Sequence, residues 1–280
     1  MMNKIALKEP GTGLSRKYFS VIIKNKLESE YALFSEVKKM MIVADTTGNF
    51  HSFKKKLLDK GVIDKKNTWI FSNGHLIVVG NFEDYRNVGN ELLWMVYSLE
   101  QKAMKHGGYV HFILGAQGIK NLWLNWTFST PNYAYPIIGK KKNYALLYDG
   151  NLELHRWLLT KNIIEKIGRV LINGGFYHNI QSDDYSSGVN MSAYKAFTKN
   201  AQTNIKKEDA PAAESHNSAP LILIKKEQPK NHSAKPDLPQ EKTEDEYITI
   251  NLLTHETCTL MLSRTHIRIG FAEKKEEISL

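Results

Sequence analysis

Short apolar runs that end in glycine-containing loops are the feature that most constrains how this chain can fold. Four such runs lie at 40–43, 76–80, 109–114 and 169–172. Segments with apolar residues at helical spacing separate the first three runs, over about 50–58 and 90–106. Strands that alternate with helices are typical of layered folds, so the sequence predicts an α/β protein.

The composition changes near residue 200, and this change predicts how the chain is divided. Five of the eight prolines fall within 211–239, and no aromatic residue lies between Phe197 and Tyr247. Such a segment buries too little apolar surface to offset its chain entropy, so we predict a disordered linker over 199–245. The other predicted divisions are an N-terminal extension 1–38, a core 39–198 and a small β-rich C-terminal segment 246–280.

One apolar run interrupts the predicted linker. Leu221, Ile222, Leu223 and Ile224 follow one another there. A run of this kind can pack on a core, although it more often has no structural partner. We therefore expect a protease to cut the linker and to leave a folded fragment of residues 1–198. The alternative is that the C-terminal β segment packs back onto the core as a tethered strand donor, in which case cleavage does not release it.

Charge and cysteine content exclude several classes of protein. The chain has 38 basic and 29 acidic residues, and its net charge of +9 permits phosphate-bearing partners without establishing one. Lysine runs such as 140–142 are typical of solvated loops, so we do not expect nucleic-acid binding. The single cysteine, Cys258, excludes an intrachain disulfide and a cysteine-based zinc site. The sequence has no apolar segment as long as a secretory signal or a membrane span, which predicts a cytoplasmic protein without a membrane partner.

The loops after the four apolar runs contain the candidate functional residues, because ligands of α/β proteins bind beyond the carboxyl ends of the strands. These loops read ADTTGN at 44–49, GNFEDYR at 80–86, GAQG at 115–118 and NGG at 173–175. They contain no histidine or cysteine, and no serine that could act as a nucleophile. Glycine, asparagine and aspartate are also the usual residues of turns, so turn formation alone is the alternative interpretation.

The order of the four loops resembles that in the calcineurin-like metallophosphoesterases, in particular the bacterial branch similar to Ser/Thr protein phosphatases. That family reads D-x-H-G-N, G-D-x-x-D-R-G, G-N-H-E and H-G-G, each motif after a strand. Here Thr47-Gly48-Asn49 opens the first helix, and 156–162 precedes the last motif at the expected distance. The resemblance covers about 39–180. It implies a sandwich of β-sheet flanked by helices, truncated at the C-terminal side.

The resemblance also implies which residues stand at the family's metal-ligand positions. Asp45 matches the first aspartate, but the neighbouring histidine is Thr47 and the bridging aspartate is Asn81. The asparagine ligand of the third motif is Ala116, and the histidine of the fourth motif is Asn173. The implied metal site is therefore vestigial, with Asp45, Asn81 and Asn173 as its remaining oxygen donors.

The implied catalytic positions have changed as well. The histidine that acts as general acid in the family is Gln117 here, and the arginine that holds the substrate phosphate is Tyr85. Asp84 matches the aspartate whose family role is to orient the missing acid. Asp84 and Gln117 are thus vestigial catalytic positions, and we assign no catalytic residue from the sequence.

These replacements decide the function that we predict from the sequence. Two divalent ions about 3.5–4 Å apart need an anionic bridging carboxylate, and the neutral amide of Asn81 cannot replace it. We expect no cofactor, although the three remaining oxygen donors can hold one divalent ion weakly. The leading prediction is a degenerate, non-catalytic member of the family that binds or scaffolds a protein or phosphorylated partner. The alternatives are a divergent metal-dependent phosphoesterase with residual hydrolase activity, and an interaction module that acts through the basic linker and terminal strands.

Overall fold

The computed structural model describes twelve ranges of the chain. These parts are 4–8, 18–44, 50–80, 91–115, 134–137, 140–143, 153–175, 221–225, 247–251, 257–263, 266–270 and 275–279. Within them the chain forms fifteen strands and three helices, which make two mixed sheets and two hairpins. The predicted α/β class is therefore confirmed at this level.

The strands and helices have the following bounds. The first eight strands are β1 (Lys4–Lys8), β2 (Tyr18–Ile22), β3 (Leu33–Phe34), β4 (Lys39–Ala44), β5 (His75–Gly80), β6 (Tyr109–Leu114), β7 (Ala134–Ile137) and β8 (Lys140–Asn143). The remaining strands are β9 (Ile164–Ile167), β10 (Val170–Asn173), β11 (Leu221–Lys225), β12 (Tyr247–Asn251), β13 (Thr257–Leu262), β14 (His266–Gly270) and β15 (Lys275–Ser279). The helices are α1 (Phe50–Asp59), α2 (Glu91–Met104) and α3 (Glu153–Leu158).

The larger sheet has six strands in the order β15-β14-β13-β4-β5-β6. Strands β4, β5 and β6 are parallel, whereas β13, β14 and β15 are joined to them and to each other in antiparallel pairs. The smaller sheet has five strands in the order β12-β11-β10-β9-β3, in which only the β9–β3 pair is parallel. The hairpins are β1–β2 and β7–β8.

Alternating side chains of β4 build two separate cores. Met41 and Val43 belong to a cluster that includes residues of α1 and α2, among them Phe53. Met40 and Ile42 belong to a second cluster that includes residues of the smaller sheet. Because successive residues of a strand point to opposite faces, the parallel strands form a middle layer between the helices and the smaller sheet. Strands buried on both faces in this way read as continuous apolar runs, which is the pattern seen in the sequence.

Strand β11 requires a correction to the predicted linker. It pairs with β10 on one side and β12 on the other, and Ile222 and Ile224 are fully buried. Composition averaged over 199–245 hides this short strand, in which the burial of two isoleucines and the pairing with β10 and β12 act together against the entropy cost of ordering five residues. The rest of the predicted linker lies outside the described residues.

The predicted C-terminal segment 246–280 contributes strands to both sheets. Its strand β12 extends the smaller sheet, and β13 pairs with β4 in the centre of the larger one. Cys258 and Leu260 of β13 are fully buried in the second core. Strands of this segment therefore take part in both sheets of the predicted core 39–198, which agrees with the alternative that the segment packs back onto the core.

The predicted N-terminal extension also contributes to the structure. Val21 of β2 is fully buried in the first core, and the Gln101 side chain on α2 donates a hydrogen bond to the Ile22 carbonyl oxygen (3.1 Å). Strand β3 is the edge strand of the smaller sheet, next to β9. Within the described residues, no helix is both long and apolar enough to cross a membrane.

The contribution of β11 can be measured by comparing two alanine variants. We expect Ile222→Ala to lower the free energy of unfolding by about 2–5 kcal/mol, because it leaves a cavity in the second core. Met261→Ala is the control, since Met261 is 47% exposed on β13, and we expect a change within about 0.5 kcal/mol. Urea unfolding of both variants measures the difference. Equal losses would mean that residues 221–225 are not part of the folded core.

Candidate functional site

The carboxyl ends of the parallel strands lie side by side. Ala44 is opposite Val79, and Gly80 is opposite Leu114. The Gly115 N–H donates a hydrogen bond to the Gly80 carbonyl oxygen (3.2 Å). The first three candidate loops therefore begin at one edge of the larger sheet. We call this edge, formed by Ala44, Gly80, Leu114 and Gly115, the carboxyl edge.

The fourth loop reaches the same edge although β10 belongs to the other sheet. A Cβ atom on Gly174 would lie 2.1 Å from the carbonyl oxygen of Leu114, so only glycine fits at this position. The four loops whose order resembles the phosphoesterase motifs thus start or end within one small region. Convergence of this kind is what the placement of the loops after strands predicts.

Asn173 is the one predicted metal-ligand position that the structure describes. It ends β10, and only 3% of its surface is exposed. Its Oδ1 atom accepts a hydrogen bond from the Gly175 N–H (3.0 Å), and Gly175 has a φ of +92°. This is the local hydrogen bonding by which asparagine stabilises turns. The Asn173 side chain therefore shapes the turn at the end of β10.

The other predicted site residues lie outside the described residues. These are Asp45, Asn81, Asp84 and Gln117. The structure gives the position of the first residue of each loop that contains them, namely Ala44, Gly80 and Gly115. Where their side chains lie stays a prediction.

A short segment, 161–163, joins the two sheets at the carboxyl edge, and we call it the bridging segment. The Asn162 carbonyl oxygen accepts a hydrogen bond from the Leu114 N–H (2.8 Å). The next carbonyl oxygen, that of Ile163, accepts one from the Gly174 N–H (3.0 Å). Two successive carbonyls thus hold the end of β6 and the turn after β10 in fixed relative positions.

The Lys161 side chain anchors the bridging segment to α2. Its Nζ atom donates to Oε1 of Glu100 (2.7 Å) and to the carboxylate of Glu30, and the Lys161 side chain has no exposed surface. The Trp157 indole N–H donates to the same Glu100 carboxylate (3.0 Å), and Lys24 forms an ion pair with it. Glu100 therefore has several donors that compensate for its removal from water.

Electrostatics within this network favour charged Glu100 and Lys161. Burial by itself favours the neutral acid and raises the pKa of Glu100. The charges of Lys161 and Lys24 outweigh this effect, so the pKa of Glu100 is lowered. Burial by itself favours the neutral amine and lowers the pKa of Lys161. The carboxylates of Glu100 and Glu30 outweigh this effect, so the pKa of Lys161 is raised. Burial raises the pKa of Glu30 to about 7, because the attraction of Lys161 is smaller than the cost of burial and is opposed by the Glu100 and Glu165 carboxyl groups.

Sequence analysis missed this network. Lys161 lies in the segment 156–162 that supports the resemblance, but Glu100 is 61 positions away. Neither residue lies in a motif, and a charged residue on a helix more often faces solvent. Glu100 follows Leu99 on α2, and its burial depends on Trp157 and Lys161 reaching it from a distant segment.

Among the described residues, no group of three or more histidine, cysteine, aspartate or glutamate side chains is arranged to hold a metal ion. Of the oxygen donors predicted from the loops, Asp45 and Asn81 lie outside the described residues. The described geometry of the carboxyl edge is therefore a set of backbone contacts around one buried asparagine turn.

Comparisons with known proteins give no family for this chain. No family model matches it, and no curated protein matches it. The cold-active protein-tyrosine phosphatase of the psychrophile Shewanella sp. is 22% identical with a TM-score of 0.49, over 72% of this chain and 67% of that one. A point mutant of a cold-active protein tyrosine phosphatase is 22% identical with a TM-score of 0.47, over 75% and 70% of the two chains. Similarity of this extent gives no basis for transferring a function.

The close approach of the fourth loop to the carboxyl edge can be tested at Gly174. We expect Gly174→Ala to lower the free energy of unfolding by about 3 kcal/mol, because the added methyl group overlaps the Leu114 carbonyl. Gly61→Ala is the control, since Gly61 has a φ of +66° but no atom within 4 Å of the added carbon. Its expected cost is about 1 kcal/mol. Denaturant unfolding of both variants measures the two losses, and a smaller loss at Gly174 would contradict the contact.

Proposed function

We propose that this protein is a degenerate, non-catalytic relative of the calcineurin-like metallophosphoesterases, and that it binds a partner at the carboxyl edge. The observation that carries the proposal is the turn at Asn173. This residue stands where the resemblance implies a histidine ligand, and its amide oxygen is hydrogen-bonded to the backbone of Gly175. A side chain in that role contributes to loop shape.

Convergence of the loops supports the relationship to the phosphoesterases. Four motifs that are far apart in the sequence begin or end at the carboxyl edge, and Gly80, Leu114 and Gly174 form its contacts. An α/β fold that retains this edge retains a place where ligands of such folds bind. Binding at the edge requires neither metal ions nor a general acid.

The residue types in the loops support the loss of catalysis. A bridging position needs an anionic ligand to offset the repulsion between two divalent ions, and Asn81 is neutral. Gln117 can donate a hydrogen bond, but it cannot deliver a proton to a leaving alkoxide. Proton transfer by a positioned acid typically contributes about 10²–10⁴-fold to a rate. Loss of both functions leaves little rate enhancement, even though such losses are not additive.

The partner that we propose is a protein or a phosphorylated molecule. The net charge of +9 favours association with negatively charged groups. The second candidate function, a divergent phosphoesterase with one weakly bound metal, is favoured by the retained carboxylate of Asp45. One carboxylate with two amide oxygens is a donor set that suits a hard divalent cation.

Metal content and phosphate-ester hydrolysis distinguish these two functions. We expect the purified protein to contain no stoichiometric pair of metal ions by elemental analysis. We also expect it to hydrolyse an aryl phosphate no faster than Asp45→Ala. Asp59→Ala is the matched control, because Asp59 is an exposed aspartate paired with Lys55 (2.5 Å) at the surface. Two bound metal ions, or turnover lost in Asp45→Ala and kept in Asp59→Ala, would contradict the proposal and favour the phosphoesterase.

A further inference from the structure

Three polar side chains form a continuous hydrogen-bonded chain between the two sheets. Nδ1 of His75 lies 2.8 Å from Nε2 of His111, and Nδ1 of His111 lies 2.5 Å from Oε2 of Glu165. His75 begins β5, His111 lies on β6, and Glu165 lies on β9 of the smaller sheet. His111 and Glu165 have no exposed surface, whereas His75 is 9% exposed. This hydrogen-bonded chain of side chains therefore has a buried end at Glu165 and an end near solvent at His75.

The solvent end of the chain is Nε2 of His75. Among the described residues this atom has no hydrogen-bond partner, and it is not one of the fully buried polar atoms. The opposite ring nitrogen faces His111. A proton can therefore enter or leave the chain at His75, whereas solvent does not reach Glu165 directly.

The surroundings of Glu165 link it to the bridging segment. Its second carboxylate oxygen accepts a hydrogen bond from the Asn162 side-chain amide (3.0 Å), and the same amide nitrogen donates to the Tyr31 carbonyl oxygen (2.9 Å). The ring of Phe34 on β3 lies 4.5 Å from that of His111. Glu100 on α2 and the nearby Lys161 act electrostatically on both His111 and Glu165, and Glu30 interacts with Glu165. The ring of Tyr109 on β6 lies 4.6 Å from that of His111, and Tyr109 in turn is influenced by Tyr31.

Burial disfavours charge on every member of the chain. It raises the pKa of Glu165 to about 8. Burial and Lys161 lower the pKa of His111 to about 3. Burial and His111 lower the pKa of His75 to about 4. Near neutral pH both rings are therefore neutral and Glu165 keeps its proton.

We propose that His75, His111 and Glu165 form a proton relay through which the buried Glu165 carboxyl group exchanges its proton with solvent. In the protonated state, the Glu165 O–H donates to Nδ1 of His111, Nε2–H of His111 donates to Nδ1 of His75, and His75 carries a proton on Nε2. Each ring has one N–H. The relay thus has a single excess proton, located on Glu165.

Deprotonation shifts each proton by one position. His75 releases its Nε2 proton to water and takes the Nε2 proton of His111 on Nδ1. His111 in turn takes the Glu165 proton on its own Nδ1. One proton leaves, both rings stay neutral, and Glu165 becomes a carboxylate that accepts a hydrogen bond from His111. The tautomer of both rings is therefore reversed.

The relay connects pH to the carboxyl edge. An ionised Glu165 binds the Asn162 amide more strongly, because hydrogen bonds to a carboxylate are stronger than those to a neutral acid. The Asn162 carbonyl oxygen holds the Leu114 N–H at the end of β6. A change of protonation at Glu165 thus acts on the segment that joins the two sheets. The inference does not depend on the function proposed above.

The pH dependence of stability should have opposite signs for Glu165 and for the two histidines. The pKa of Glu165 is raised above its unfolded value, so its contribution to stability is present at low pH and is lost as the pH rises towards about 8. The pKa values of His75 and His111 are lowered, so their contribution is present above about 6.5 and is lost as the pH falls towards 4 and 3.

Nitrogen-15 NMR of histidine side chains in the full-length protein tests the relay directly. We expect His75 and His111 to change from the Nε2–H to the Nδ1–H tautomer as the pH rises from 6 through 8 to 9.5, with no charged imidazole at any point. The exposed His106, which lies away from the relay, is the internal control. Rings that keep one tautomer over this range, or that become charged, would overturn the proposal.

The variant Glu165→Gln tests the role of the carboxyl group. The glutamine amide can donate to Nδ1 of His111 as the protonated carboxyl does, so we expect both rings to stay in the Nε2–H tautomer at every pH. In the wild type, loss of the Glu165 contribution should lower the urea midpoint between pH 6 and 9. The variant has no carboxyl group to ionise at this position, so it should lack this decrease. An unchanged tautomer switch in this variant would overturn the proposal. If the variant does not fold, the wild-type spectra alone decide.

Discussion

The parallel strands β4, β5 and β6 carry apolar side chains on both faces, and the need to bury both faces at once determines the rest of the structure. The helices cover one face, where Met41 and Val43 lie. The smaller sheet covers the other, where Met40 and Ile42 lie. A chain that ended after β10 would leave this second core incomplete, since β11, β12 and β13 supply buried residues to it. Strands far along the sequence are therefore part of the central architecture.

The sequence predicted the elements whose apolar pattern is long or ends in a clear stop. The parallel strands and both longer helices are of this kind, because continuous apolar runs and glycine stops are local signals. Strand β11 was not predicted, since its five residues lie between proline-rich and charged segments. Its order depends on Ile222 and Ile224 entering a core built by distant strands. Packing of the C-terminal segment on the core was left open by the sequence, but no local pattern identifies β4 as the partner of β13.

The candidate site likewise has features that the sequence predicted and features that it did not. Placement of the loops after strands predicted that they would meet, and the contact of Gly174 with Leu114 agrees with it. The side chains of Asp45 and Asn81 remain predictions. The ion pair of Lys161 with Glu100 was not predicted, because buried charged pairs have no local sequence pattern. It anchors the bridging segment to α2, and the bridging segment contacts Leu114 and Gly174 at the carboxyl edge, so the ion pair links the energetics of the core to the geometry of the candidate site.

Anomalous X-ray diffraction from crystals grown with manganese tests most directly the central claim that the carboxyl edge no longer holds a dinuclear metal centre. The account predicts no pair of manganese peaks in the region beyond Ala44, Gly80 and Gly115. Two strong peaks about 3.5–4 Å apart in that region, the spacing of a two-metal phosphoesterase, would contradict it. They would show that the loops assemble a metal centre in spite of the replaced ligands.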